Sequence, residues 1–424
     1  MSKDLIKNNY VIKPFIVSSI LLIFVGSLIG SIWFAFILKI NIPFFNGAIF
    51  NLHSIFQIES GLTLLIMGIG FMIVPRFRNT TVGSIRIIKI SFMSILISTL
   101  LVIISTINIF ASIINEDIVF IAEIIRIIGI VLFVIKIFNT LKTPPKLLRT
   151  ADYFIGFSSL CLLILSLLDL FKLNGDGLSD IEIQLLFPII MIFGIEYKTL
   201  PSFLGFVRPK KRLGLLSLIF LIVTFIVGIS SKAYINNDTT LPILFNSFMI
   251  FSSILFSISV YMYSNYENKK YILQSSPDKR ERYLYTLYHT RASFYFLYIG
   301  IALGLLYYVF DKKFIFYDLS IHFIAIGFIG ITIASYLPMM LAPLLGRPIV
   351  IKKFNKIPII LIIISLIIRA IGITYISYFN GYDLFPLHVL TSMSGFLILL
   401  ALIIFILLMY KSIKSKPQNP INVS

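Results

Sequence analysis

One long apolar segment decides the fold: residues Tyr317 to Pro348 read YDLSIHFIAIGFIGITIASYLPMMLAPLLGRP. The segment is long enough to cross a bilayer, because about 20 apolar residues span the hydrocarbon core. It carries a histidine, His322, near its start, and a proline and an arginine at its end. An imidazole inside lipid needs a polar partner, since an unsatisfied polar group is strongly disfavoured there. We therefore take His322 as a candidate functional residue.

A second segment repeats this design. Between Gly47 and Arg78 the chain reads HSIFQIESGLTLLIMGIGFMIVPRFR from His53 onward, again with a histidine at its start and a proline and arginines at its far end. The spacing from His53 to Arg78 equals the spacing from His322 to Arg347. The two imidazoles are therefore predicted to lie at similar depth in the membrane.

The composition is that of a polytopic membrane protein. Hydrophobic residues make up 58% of the chain and charged residues only 13%, whereas an ordinary soluble domain has about 25% charged residues. We predict an all-α membrane bundle of about twelve transmembrane helices. The predicted spans lie near 14–38, 47–74, 83–110, 118–140, 152–173, 183–205, 212–235, 240–265, 288–310, 316–345, 357–379 and 382–410.

Spans two, six and ten end alike, in VPRF, LPSF and the LPMMLAPLLGR run. Their interval of four helices suggests an internal repeat of three arcs of four helices, with these three spans as an inner ring. Span six has no histidine at the corresponding depth. It carries Glu196, Tyr197 and Lys198 instead, and Glu196 and Lys198 point too far apart on a regular helix to pair with each other.

The net charge of +18 follows membrane topology. Lysines and arginines cluster before span one and in alternate loops, which places both termini in the cytoplasm by the positive-inside rule. We predict one integral membrane domain, 1–424, with a cytoplasmic N-terminal segment 1–13, a cytoplasmic loop 266–287 and a cytoplasmic tail 411–424. The expected partner of this basic surface is the anionic lipid bilayer and not nucleic acid.

Several charged residues lie inside predicted spans. Glu123 and Arg126 are spaced to meet on one helical face, so they form a local ion pair unless Arg126 serves an anionic ligand. Arg369 lies near mid-membrane, where it requires an anionic partner or a hydrated cavity. Glu59 does not share a helical face with His53, and we expect it to contact a neighbouring helix or to belong to a proton path.

His388 lies about six residues inside span twelve, so His53, His322 and His388 are predicted at one level on the outer side. Imidazoles from different helices at one depth are what a heme iron needs, with one nitrogen from each side of the porphyrin. We predict His53, His322 and His388 as metal ligands, with Arg369 and Arg126 as partners of the propionates. The alternative is that each histidine bonds a carbonyl across a helix interface.

These segments resemble the NnrS family. DLSIHFIAIGFIGITIASYLPMMLAPLLGRP looks like the signature helix of that family, HSIFQIESGLTLLIMGIGFMIVPRF resembles its second helix, and the arginine of LIIRAIG is similar to the one in its eleventh helix. The resemblance implies a twelve-helix membrane protein that binds heme and copper and acts in the response to nitric oxide and nitrosative stress. It also implies a distant architectural relation to the catalytic subunit of heme-copper oxidases.

The sequence departs from the family at Asn51, where many members have a further histidine, and in APLLGRP, which lacks the histidine of the closing motif. Spans six and seven have no counterpart of the histidines that hold copper in true oxidases. Two alternatives stay open beside the heme-binding hypothesis. One is a secondary transporter that uses Glu59, Glu196, Lys198 and Arg369, and the other is an oxidoreductase acting on nitric oxide or quinol. Whether the protein is an enzyme also stays open.

Overall fold

A computed structural model gives the fold of the chain. It describes residues 11–38, 40, 51–81, 83–106, 112–143, 149–171, 178–203, 206–233, 239–264, 277–310, 313–344, 356–378 and 385–414. Arg347 and the LGRP end of the tenth span lie outside the described residues. Residues 266–276 of the predicted cytoplasmic loop, 1–10 of the predicted N-terminal segment and 415–424 of the predicted C-terminal tail also lie outside the described residues.

The described residues contain twelve helices long and apolar enough to cross a membrane. The prediction of an all-α bundle of twelve spans is confirmed. The protein is a multi-pass membrane protein. The helices are α1 Lys13–Ile37, α2 Leu52–Phe77, α3 Ile85–Thr106, α4 Asp117–Leu141, α5 Thr150–Leu170, α6 Asp180–Ser202, α7 Lys211–Ala233, α8 Thr240–Ser259, α9 Tyr283–Val309, α10 Phe314–Pro338, α11 Ile357–Ser377 and α12 Phe385–Lys411.

Helices α2, α6 and α10 form the inside of the bundle. In the most apolar 18-residue window of each helix, 89% of the residues of α2, 78% of α6 and 56% of α10 are buried, against 33% to 50% in the other nine described helices. Consecutive helices pack against one another, and α12 packs against α1 to close the ring. The inner ring predicted from the terminal motifs is therefore confirmed.

Hydroxyl groups join the outer helices. Ser217 on α7 and Ser252 on α8 exchange hydrogen bonds with each other's backbone carbonyls at 3.0 and 2.8 Å. Ser365 on α11 donates to the carbonyl of Ser394 on α12 at 2.7 Å. Between helices in lipid, small hydroxyl side chains allow close approach and satisfy polar groups that have no water beside them.

Both inner helices that carry a predicted histidine widen directly after it. A π-helix covers Ile55–Leu62 on α2, and another covers Phe323–Gly330 on α10. In the first π-helix, the Thr63 hydroxyl donates to the carbonyl of Ile58 at 3.1 Å. This side-chain hydrogen bond supplements the backbone hydrogen bonds of the wide turn. Such turns in α-helices occur frequently at functional sites, because the extra residue reorients the neighbouring side chains.

Two helices extend past the spans that hydropathy predicted. The helix containing α9 begins at Pro277, inside the predicted loop 266–287, and the helix containing α12 ends at Lys414, inside the predicted tail 411–424. The predicted loop and the predicted tail therefore each contain the end of a helix. Hydropathy indicates where a helix leaves the lipid. The helix itself can extend into water, where charged side chains on its surface are solvated.

Candidate functional site

A cavity of about 310 Å³ lies between α1, α2, α10, α11 and α12. Aliphatic and aromatic side chains form most of its wall. Besides several serines and Tyr317, the polar or amphipathic side chains that line it are Trp33 on α1, His53 and Gln57 on α2, Asp318 and His322 on α10, and Arg369 on α11. The structure therefore brings His53, His322 and Arg369 together, which are three of the five residues predicted to bind a cofactor.

His53 is held by α1. Its Nδ1 lies 2.8 Å from the carbonyl oxygen of Gly26, and a carbonyl only accepts, so Nδ1 carries the proton. The lone pair of the neutral ring is consequently on Nε2. The ring lies directly against Gly30, where an added Cβ would come within 2.3 Å of its Cε1 atom. Trp33 packs beside it, with the ring centroids 6.2 Å apart.

His322 is held by its own helix. Its Nδ1 lies 2.7 Å from the carbonyl oxygen of Asp318 and 3.4 Å from Oδ1 of the same residue. Both oxygens are acceptors, so this imidazole also carries its proton on Nδ1 and its lone pair on Nε2. A metal-ligating histidine typically donates its other ring N–H to a carbonyl or carboxylate, which fixes the tautomer and the ring orientation.

Arg369 has the anionic partner that its depth required. Its Nε and Nη2 donate to the two carboxylate oxygens of Asp318 at 2.7 and 2.6 Å, and the guanidinium lies over the ring of Phe34 at 3.8 Å from the centroid. The sequence analysis missed Asp318. The available signal was its position four residues before His322, which places both side chains on one helical face.

His388 does not join this cavity. Its Nδ1 lies 2.9 Å from the carbonyl oxygen of Leu38, just after the end of α1. His53 bonds the same helix at Gly26, so the two imidazoles contact α1 twelve residues apart, or roughly 18 Å at about 1.5 Å per residue. The predicted common level is wrong for His388, because its depth was counted along α12 alone without the offset between α12 and α1.

Arg126 lies at a different place. It pairs with Glu123 at 2.5 Å, as predicted, and also with Glu59 on α2 at 2.6 Å and Asp169 on α5 at 3.1 Å. Glu59, Arg126 and Asp169 line a separate cavity of about 30 Å³. Glu59 and His53 thus face different cavities, as their spacing predicted. The Arg126 guanidinium, which was predicted to bind heme propionates, is thus paired with three carboxylates.

No group of three or more histidine, cysteine, aspartate and glutamate side chains in the described part of the chain could hold a metal ion. Heme is different, since the porphyrin supplies four of the nitrogens and the protein needs to add only one or two.

Among the solved structures that match the chain is a heme-copper terminal oxidase dimer determined by cryo-EM, with a TM-score of 0.71. The match covers 100% of this chain and 86% of that chain at 12% sequence identity. The chain shares that fold. No family model and no curated protein matches the sequence.

Glu196 is another buried polar side chain, and it lies on α6, the inner helix for which no histidine was predicted at the corresponding depth. The side chain is 2% exposed, and neither carboxylate oxygen has a hydrogen-bond partner among the described residues. It lines a cavity of about 60 Å³ between α2, α6 and α10, together with Thr332 and Tyr336. Lys198 points elsewhere, as predicted, and donates to the carbonyl of Phe77 at 2.7 Å.

Replacement of Glu196 by leucine is expected to raise the stability of the protein. A buried polar group without a partner costs about 1–3 kcal/mol, and leucine removes that cost while filling similar space. The matched control is Glu182→Leu on the same helix. The Glu182 carboxylate accepts from Tyr308 and Ser179 at 2.7 and 2.9 Å, so its loss leaves donors unpaired and lowers stability. Thermal unfolding in detergent measures both, and a lower melting temperature for Glu196→Leu contradicts this account.

Proposed function

We propose that the protein is a heme-binding integral membrane protein in which the imidazoles of His53 and His322 would hold the heme iron. The observation that carries the proposal is the pair of imidazoles on two inner helices that line one cavity. Both have Nδ1 bonded to a carbonyl. In each ring the lone pair on Nε2 is left for a metal.

The wall of this cavity fits a porphyrin. It is largely apolar, as heme sites in helix bundles are, and the ligands come from side chains on facing helices. Its volume of about 310 Å³ lies within the range of about 300–1,000 Å³ that is usual for small-molecule sites. When bound, heme would supply a redox-active iron.

Arg369 is the residue we assign to the anionic groups of the porphyrin. Its Nε and Nη2 are used by Asp318, and Nη1 is the remaining nitrogen of the guanidinium. We leave Arg126 out of this site because its guanidinium already pairs with Glu59, Glu123 and Asp169. His388 is also left out, since it lines no part of the cavity and bonds Leu38.

The resemblance of the His53 and His322 segments to the NnrS family supports a role in the response to nitric oxide. The fold shared with a heme-copper terminal oxidase supports the heme site. The test is a visible spectrum of detergent-purified protein from heme-supplied cells, with metal analysis beside it. We expect a Soret band and iron in about equal amount to the protein, and a colourless, iron-free preparation would overturn the proposal.

The role in nitric oxide defence has its own test. Cells that lack the gene are expected to resume growth later than wild-type cells after treatment with a nitric oxide donor. The gene encoding the His53→Ala, His322→Ala protein is expected not to restore growth, whereas the wild-type gene restores it. Equal growth of all strains would overturn this role and leave heme binding standing.

Substitution of Gly30 tests the orientation of His53. An alanine Cβ at this position would lie 2.3 to 2.9 Å from three atoms of the imidazole, so the ring must move. We expect Gly30→Ala to lower heme content or to shift the Soret band. The matched control is Gly330→Ala in the same cavity wall, where the nearest atom is 3.5 Å away. Equal spectra for both variants would show that His53 does not hold the iron.

A further inference from the structure

The ion cluster around Arg126 is separate from the histidine cavity and takes no part in the proposed heme site. It joins four helices: Glu59 on α2, Glu123 and Arg126 on α4, Asp169 on α5, and Lys232 on α7. Lys232 also pairs with Asp180 at the start of α6, and the Asp180 side chain is half exposed. The cluster therefore extends from the surface of the bundle to the inner helix α2.

The charges of this cluster do not balance. Within the described residues it contains four carboxylates and two cations. Three of these carboxylates contact the single guanidinium of Arg126, at distances from 2.5 to 3.1 Å. Carboxylates that share one site repel each other when all are ionised, and burial strengthens that repulsion. A bound proton removes one of the excess charges.

The geometry also leaves room for water. The cavity of about 30 Å³ beside Arg126 exceeds the roughly 10–15 Å³ that one water molecule requires. Hydroxyl and amide groups of Thr63, Ser166 and Gln184 complete its polar lining. The Arg126 side chain is 92% buried, and its Nε has no hydrogen-bond partner among the described residues. A buried, unpaired donor beside a polar cavity indicates a bound water molecule.

We propose that the Arg126 cluster is a proton-binding site, in which Glu59, Glu123 and Asp169 together hold one exchangeable proton at neutral pH. The groups that face this proton are Arg126, Lys232, Asp180 and Gln184 on α4, α7 and α6. The α3 helix packs against the π-helix of α2 and contributes the Thr99 hydroxyl, which donates to Ser60 at 2.8 Å. The proton is neither created nor consumed there, and it exchanges with water on the Asp180 side of the bundle.

Infrared spectroscopy of the purified full-length protein tests this proposal. Glu182 and Glu196 are other buried carboxyls, so the measurement uses the Glu182→Gln, Glu196→Gln protein as its background. We expect a carboxylic-acid carbonyl band at neutral pH that shifts after transfer to D₂O. Glu59→Gln, Glu123→Gln and Asp169→Asn are each expected to abolish this band, because each removes one excess negative charge and leaves the other two carboxyls ionised.

The matched control is Asp152→Asn. Asp152 is a buried carboxylate that pairs with Arg78 at 2.8 Å outside the cluster, so its replacement is expected to leave the band unchanged. Absence of the band, or a band that survives all three cluster substitutions, overturns the proposal. If a variant does not fold, the background protein alone still tests the proposal. A carboxylic-acid band of the background protein that does not shift in D₂O also overturns the proposal. None of these outcomes depends on heme.

Discussion

Replacement of His53 or His322 by alanine is expected to leave at most about a tenth of the wild-type heme content, because each substitution removes one of the two proposed ligands of the iron. The measurement is the Soret absorbance per mole of purified protein. Both imidazoles line one cavity and both present Nε2 for a metal. Their loss should therefore have similar effects, although they lie on different inner helices.

Two controls separate loss of a ligand from loss of the fold. Free imidazole added to the His53→Ala protein is expected to restore part of the band, because it fits the space that the side chain vacated. His388→Ala is expected to retain its heme, since His388 bonds Leu38 and lines no part of the cavity. Full heme content in His53→Ala and in His322→Ala would exclude both residues as ligands.

Replacement of Asp318 by asparagine is expected to destabilise the protein by about 3–5 kcal/mol, because it leaves the buried Arg369 guanidinium without its carboxylate. The bidentate contact, at 2.7 and 2.6 Å, is lost. The backbone carbonyl of Asp318, which lies 2.7 Å from Nδ1 of His322, is retained, and of the contacts to His322 only the longer one from Oδ1 at 3.4 Å changes. Denaturant or thermal unfolding in detergent measures the loss.

The matched variants for Asp318 test whether charge is the cause. Asp117→Asn neutralises an exposed carboxylate and is expected to change stability by no more than about 0.5 kcal/mol. The double substitution Asp318→Asn, Arg369→Met removes the uncompensated cation and is expected to regain most of the lost stability. An Asp318→Asn protein as stable as the wild type would show that the pair contributes nothing.

The ion pairs of Arg126 show why some contacts between helices could not be predicted from the sequence. Its pairing with Glu123 follows from helical spacing alone, since the two residues lie on one face of α4. Its pairing with Glu59 and Asp169 joins residues 67 and 43 positions away in the chain, and spacing along a helix carries no information about which neighbouring helix it faces. The sequence could therefore not show that Arg126 contacts carboxylates on two other helices.

The amino-acid sequence by itself determined the twelve spans, the burial of α2, α6 and α10, and the position of His53 and His322 near the start of two of these inner helices, because hydropathy and repeated terminal motifs are local properties of each segment. The tertiary structure alone decided which polar groups meet. It paired Arg369 with Asp318, placed His388 against Leu38, and gathered Glu59, Glu123 and Asp169 around Arg126. The physical reason is that the tilt, offset and rotation of each helix are set by packing against its neighbours.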